Sequence, residues 1–221
     1  MDGYKIFENC DQYTAFPEAD DVFASDFEKD NLLPFGMLQV DVGGIVHDVL
    51  IAAPIADDEG MIGRQNVGEH CGGTWLTYSI QGGKWALDCR ADELLPFDIN
   101  RAAAKESFQT RKAYFIQNNF IPSRDPKSEE GAPLFEIRKE KPTTYENWFG
   151  NIRDDVKHKL EDMPGREEDV KKRFSLVSDD GHEYLRLGLA YGGVYTDVLI
   201  PIIHFYYEPE SKRVLVIHEF F

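Results

Sequence analysis

The sequence predicts an α+β fold made mostly of antiparallel sheet, and three observations predict it. β-rich runs separated by Gly-Gly or Asp-Gly pairs fill both ends of the chain, as hairpins with positive-φ turns require. Two segments with helical spacing of apolar residues or a run of good helix formers occupy the middle. Hydrophobic residues make up 42% of the 221-residue chain and aromatics 13%, enough to build a core without cross-links.

Taken in order, YKIFENC offers a first strand within an acidic opening segment. LLPFGMLQVDV and IVHDVLIAAP then flank Gly43 and Gly44 as a hairpin, and the aperiodic APIADDEGMIGRQNVGEHCGG that follows reads as a long surface loop. GTWLTYSI and KWALDCRA flank Gly82 and Gly83 as a second hairpin. A helix is expected from Asp98, a good N-cap, to Asn118. Pro122, Pro126, Gly131 and Pro133 make 122–133 an exposed loop. We read residues 1–221 as one domain; any division would fall at 122–133.

LFEIRK is a short strand candidate. Thr143 and Glu146 match a capping box, and Tyr145, Trp148, Phe149, Ile152, Val156, Leu160 and Met163 recur every three or four residues, which predicts a second amphipathic helix ended by MPG at 163–165. A short helix over REEDVKKR follows. FSLVS, HEYLRLGLAY, VYTDVLIPIIHFYY and VLVIHEFF then read as a β-meander. Both faces of 194–207 are apolar, so that strand should be covered on both sides, with a bulge or an edge at Pro201.

The formal net charge is −16, and residues 1–100 alone hold 19 Asp and Glu against 5 Lys and Arg. That field repels phosphate backbones and anionic membranes and speeds association with a basic partner. Residues 101–173 are net basic by only two charges, so Arg101, Lys105, Arg111 and Lys112 read as a solvated helix face and nucleic acid is not an expected partner. No apolar run is long enough to span a bilayer, and the opening residues lack the plan of a secretory signal. Three cysteines without C-x-x-C spacing argue against a disulfide framework, so the expected compartment is the cytoplasm.

Four groups of residues are candidates for chemistry. His70 and Cys71 in EHCGG place a thiol beside two glycines whose N–H groups could stabilise an oxyanion, with His47, His204 or His218 as the base. His204, His218 and Glu219, with His47, could form a metal site if EPESKR is the turn that sets the two histidines opposite each other; a slip of one residue would separate them. The acidic stretches ADDEG (56–60) and SDDGHE (178–183) lack the ligand register of a calcium loop. Asp48 and Asp197 recur in GGIVHDVLI (43–51) and GGVYTDVLI (192–200), which agree at six of nine positions. That agreement suggests a pseudo-repeat of a Gly-Gly hairpin carrying paired carboxylates.

LLPFGMLQVDVGG resembles the Gly-rich strand turns of the SUKH class of bacterial immunity proteins. The resemblance spans those thirteen residues and carries no functional residue over. No G-x-G-x-x-G, Walker or G-x-S-x-G pattern is present, and no cofactor is expected. The composition therefore leads to a non-enzymatic cytoplasmic binding protein whose acidic surface meets a basic protein, as an immunity or antitoxin-type inhibitor would. The alternative is a small hydrolase dependent on Cys and His or on a metal.

Overall fold

The computed structural model describes residues 3–57, 59–64, 68–96, 98–123, 131–163, 172–198 and 201–219. The first half contains strands β1 (Lys5–Ile6) and β2 (Tyr13–Ala15), short helices α1 (Ala19–Val22) and α2 (Asp26–Asn31), then β3 (Leu32–Val42), β4 (Ile45–Pro54), β5 (Trp75–Gln81) and β6 (Lys84–Leu87). After the long helix α3 (Asp98–Asn118) come β7 (Phe135–Ile137), α4 (Phe149–Ile152), β8 (His158–Asp162) and β9 (Lys172–Leu176). The chain ends with β10 (Leu185–Tyr191), α5 (Gly192–Tyr195), β11 (Ile202–Glu208) and β12 (Arg213–Glu219).

Antiparallel pairing assembles a seven-stranded sheet in the order β1-β7-β10-β11-β12-β5-β6, a three-stranded sheet β2-β3-β4 and the pair β8-β9. The class is α+β with mostly antiparallel sheet. Gly43 and Gly44 take φ of 62° and 88° between β3 and β4, and Gly82 and Gly83 take 61° and 87° between β5 and β6. Only residues without a Cβ reach such angles freely, so both tight turns form where the glycine pairs stand.

β11 is central, as its two apolar faces require. Ile203, Phe205 and Tyr207 join the larger core with Val214 and Val216 of β12, whereas Tyr206 joins a second core with Leu215 and Ile217. Pro201 stands just before β11 and leaves its ladder intact. The larger core lies between the two main sheets and α3, which contributes Ala104, Phe108 and Phe115. Phe16 and Phe35 pack on Tyr195, with Phe115 against Phe16 and Phe108 against Phe35, and the Tyr195 hydroxyl bonds Tyr13 at 2.9 Å and donates to the Leu134 carbonyl at 2.7 Å. Side chains from Ile6 to Val216 enter this core, from both sides of the 122–133 stretch.

Three expectations are corrected. The helix expected over 143–163 does not form: α4 is one turn, and His158–Asp162 is strand β8. Its start lies extended beside β9, with Thr144 N–H donating to the Lys172 carbonyl and Phe174 N–H to that of Pro142. Trp148, Phe149, Ile152 and Val156 do bury together, against Phe174 and Leu176, while Tyr145 and Leu160 at the ends of the stripe are exposed. Tertiary packing of the bulky residues onto β8-β9 thus outweighs the helical spacing, which Gly150 and the β-branched Ile152 and Val156 already weaken.

The meander is the second correction. The turn at Asp179–Gly181 forms, with Gly181 at φ 88°, and closes a short hairpin in which Val177 bridges Glu183 and Tyr184 N–H donates to the Leu176 carbonyl. β10, β11 and β12 pair in sequence, but β9 pairs with β8 and β10 with β7, so the FSLVS strand leaves the meander for a second sheet. The third concerns the repeat: Gly192 and Gly193 begin α5 and do not form a positive-φ turn, so the segments at 43 and 192 are not equivalent over the described residues. Pro164, Gly165, most of REEDVKKR, and Leu199 and Ile200 lie outside the described residues, and so does the side chain of Asp98 as an N-cap.

Candidate functional site

In the last hairpin, Glu208 builds the turn by accepting from the N–H groups of Glu210 and Ser211 at 2.7 and 2.8 Å. The resulting register pairs His204 with Ile217 and Ile203 with His218. Paired residues share a face, so the two histidines project from opposite faces of the sheet. His204 packs at 5.0 Å on the Trp148 ring, and its Nε2–H donates to Glu219 at 2.8 Å. Burial pushes its pKa below the usual range, opposed by Glu219. His218 is fully buried and donates Nδ1–H to the Gly60 carbonyl at 3.1 Å. Burial pulls its pKa down to about 4, with the Gly60 bond opposing.

His47 reaches the sheet elsewhere, with Nδ1 2.9 Å from the Tyr207 hydroxyl. Tyr207 lies four residues from Ile203, the partner of His218, which separates the two histidines by roughly 13 Å along the strand. The expected His204–His218–Glu219–His47 constellation is therefore divided between two faces and two places. Among the described residues no group of three or more His, Cys, Asp and Glu is placed to hold a metal.

Cys71 is 1% exposed, and its thiol faces the carbonyl oxygens of Gly72 and Glu93 at 3.8 and 3.9 Å. The adjacent thiol of Cys89 is pushed well up by its hydrogen bond to Cys71 and by burial. His70 turns away from Cys71 toward Thr77. Thr77 donates its hydroxyl proton to Asp88 at 2.8 Å, so its 3.2 Å contact with His70 Nδ1 is one in which the imidazole N–H donates. Asp88 also accepts from Ser79 at 2.6 Å and from Arg213 at 2.9 Å.

This polar network borders a crevice that joins two stretches singled out in the sequence, His70 on one side and Ser178 and Asp179 on the other. Its volume is about 30 Å³, room for water and not for an organic substrate. Asp57 is likewise occupied, since it accepts from the N–H groups of Glu59 and Met61 at 3.0 and 2.7 Å; Asp58 lies outside the described residues.

Asp48 and Asp197 serve different partners: Gln39 donates to the first at 3.2 Å and Arg111 to the second at 2.8 Å. The basic residues of α3 are not a solvated face. Lys105 pairs with Asp30, Arg111 with Asp197, and the buried Lys112 with Glu18 at 2.8 Å. The Lys105 and Lys112 pairs neutralise acids of the opening segment. Asp41 and Asp48 make no ion pair among the described residues, so their charge stays uncompensated.

Those two carboxylates flank the feature that the sequence did not single out. β2 pairs with β3 only at 36–38, so the outer part of the β3-β4 hairpin overhangs it. At its tip Ile45 and Val46 are 65% and 59% exposed. Asp41 pairs with Val46 and Gln39 with Asp48, which puts both carboxylates on the face that carries Val46. The strand-turn-strand pattern was legible, but the short reach of β2, which leaves the tip uncovered, was not. A cleft of about 200 Å³ separates Gln39–Asp41 from Lys139 and Leu185.

The other missed feature is Arg186, buried under the second core. It donates to both Glu146 oxygens at 3.1 and 2.9 Å, and Trp148 Nε1–H donates to the same carboxylate at 2.8 Å. No family profile, curated protein or solved structure matches the chain. The thirteen-residue likeness to SUKH turns gains no support from them.

Proposed function

We propose that the protein is a non-enzymatic binding protein that meets a basic protein partner through an acidic surface, as an immunity or antitoxin-type inhibitor would. The observation that carries this reading is the overhanging β3-β4 tip, where exposed Val46 stands beside two carboxylates that make no ion pair among the described residues and exposed Ile45 projects from the opposite face. Apolar contact area inside a charged rim is how protein interfaces are built. The formal net charge of −16 supplies the long-range attraction for a cation-rich surface. The candidate nucleophile and histidines add support from the other side. Each is buried, already hydrogen-bonded, or beside a crevice too small for a substrate.

The test is a photo-crosslinking side chain at position 45, introduced in the cells that make the protein. The captured partner is expected to be basic, and its association with the purified chain is expected to weaken steeply as salt screens the charges. Capture of acidic partners only, or affinity indifferent to ionic strength, would overturn the reading.

A further inference from the structure

The exposed edge of β4 is built in two unlike halves. A two-residue turn makes Val42 and Ile45 the first hydrogen-bonded pair, so the even-numbered residues of β4 point their N–H and C=O groups away from β3. Tyr78 shows this directly: its hydroxyl donates to the Leu50 carbonyl at 2.7 Å and accepts from Ala52 N–H at 3.0 Å. One buried tyrosine thus closes the inner half of the edge. Val46 and Asp48 have the same parity, and their outward backbone groups have no partner among the described residues.

We propose that this outer half of β4 accepts an added antiparallel strand from the partner, and that the strand is one in which basic and aliphatic residues alternate. This rests on the binding reading above and specifies how the partner is read. Unpaired edge groups supply main-chain hydrogen bonds, and side-chain alternation supplies specificity. The incoming side chains that share a face with Asp41, Val46 and Asp48 meet two carboxylates around one aliphatic residue. Lysine or arginine fits there, with the stem over Val46 and the head at a carboxylate. The alternate side chains meet Ile45 on the other face and are aliphatic.

A second copy of the chain is the other occupant an open edge invites. Pairing β4 with itself would bring two Asp48 carboxylates and two chains of formal net charge −16 together, which selects against it.

The experiment uses the full chain and a short synthetic peptide alternating lysine and valine, followed by amide NMR in low and in high salt. The peptide is expected to shift and protect the amides of Val46 and Asp48 and to bind more weakly in high salt. Val46→Pro removes an N–H that points outward, so the fold should survive at an edge position while affinity falls about tenfold, the worth of one or two net hydrogen bonds. A peptide N-methylated at alternate amides should lose the same factor on the native chain.

Equal binding to Val46→Pro, equal binding of the N-methylated peptide, or no binding in low salt would overturn strand addition. A dimer of the chain alone that protects these two amides would overturn it as well. Only preference for a glutamate-valine peptide would also overturn the acidic-surface reading.

Discussion

The two long hairpins, β3-β4 and β11-β12, use similar residues to opposite ends. Each is an antiparallel pair with histidine and carboxylate along it, and each turns tightly. β11-β12 lies in the middle of the large sheet with cores on both faces, so His204 and His218 are held neutral and His204 is tied to Glu219. β3-β4 overhangs its sheet, and the same residue classes, His47, Asp41 and Asp48, stand beside aliphatic side chains in or near solvent. The residue types that suggest catalysis are therefore buried and hydrogen-bonded in one hairpin, while the proposed contact surface is on the other.

The largest loss of stability is expected at Arg186, whose Cα partner on β11 is Tyr206. Arg186→Met leaves the Glu146 carboxylate partly buried without its bidentate cation. Removing one member of a buried pair costs about 3–5 kcal/mol. The expected result is a matching fall in unfolding free energy by urea titration. Glu146→Gln with Arg186→Met should recover part of it, because no uncompensated charge remains.

His218 gives the next largest effect, and it appears as a pH dependence. Its folded pKa of about 4 lies below the unfolded value near 6.5, so below pH 6.5 the unfolded chain binds a proton that the folded chain does not. Stability therefore falls as pH drops from about 6.5 to about 4 and is constant below that, as far as this group is concerned. The loss amounts to about 3 kcal/mol at 1.36 kcal/mol per pKa unit. His218→Leu should make that part of the stability-pH curve shallower, leaving what His204, also lowered by burial, contributes.

How far these two regions were legible differs for physical reasons. Gly43-Gly44 and Gly82-Gly83 placed their turns correctly because positive φ is a local demand that glycine meets by itself. α3 was legible from its own composition. The second helix failed because Trp148, Phe149 and Ile152 have the spacing of a helix but their burial depends on β8-β9, which no local pattern reveals. Gly192-Gly193 failed in the same way, since the chain around Tyr195 winds into a turn of helix to seat that ring on Phe35 at 3.7 Å. Of the site candidates, the residue types were legible and their neighbourhoods were not. A one-residue offset in register separated His204 from His218, and the overhang that exposes Ile45 and Val46 depends on where β2 stops.

The smallest expected effect tests the open side. Ile45→Ser with Val46→Ser replaces two aliphatic side chains that bury little, and surface changes of this kind move stability by no more than about 0.5 kcal/mol. Thermal unfolding of this variant should nearly coincide with that of the native chain. Its affinity for the lysine-valine peptide should drop, because the aliphatic contact on both faces of the tip is gone while Asp41 and Asp48 still attract the probe. Native stability with weakened binding would separate the roles of the two hairpins. A stability loss comparable to that of Arg186→Met would mean instead that Ile45 and Val46 are packed, and the contrast between a buried and an open hairpin would fail.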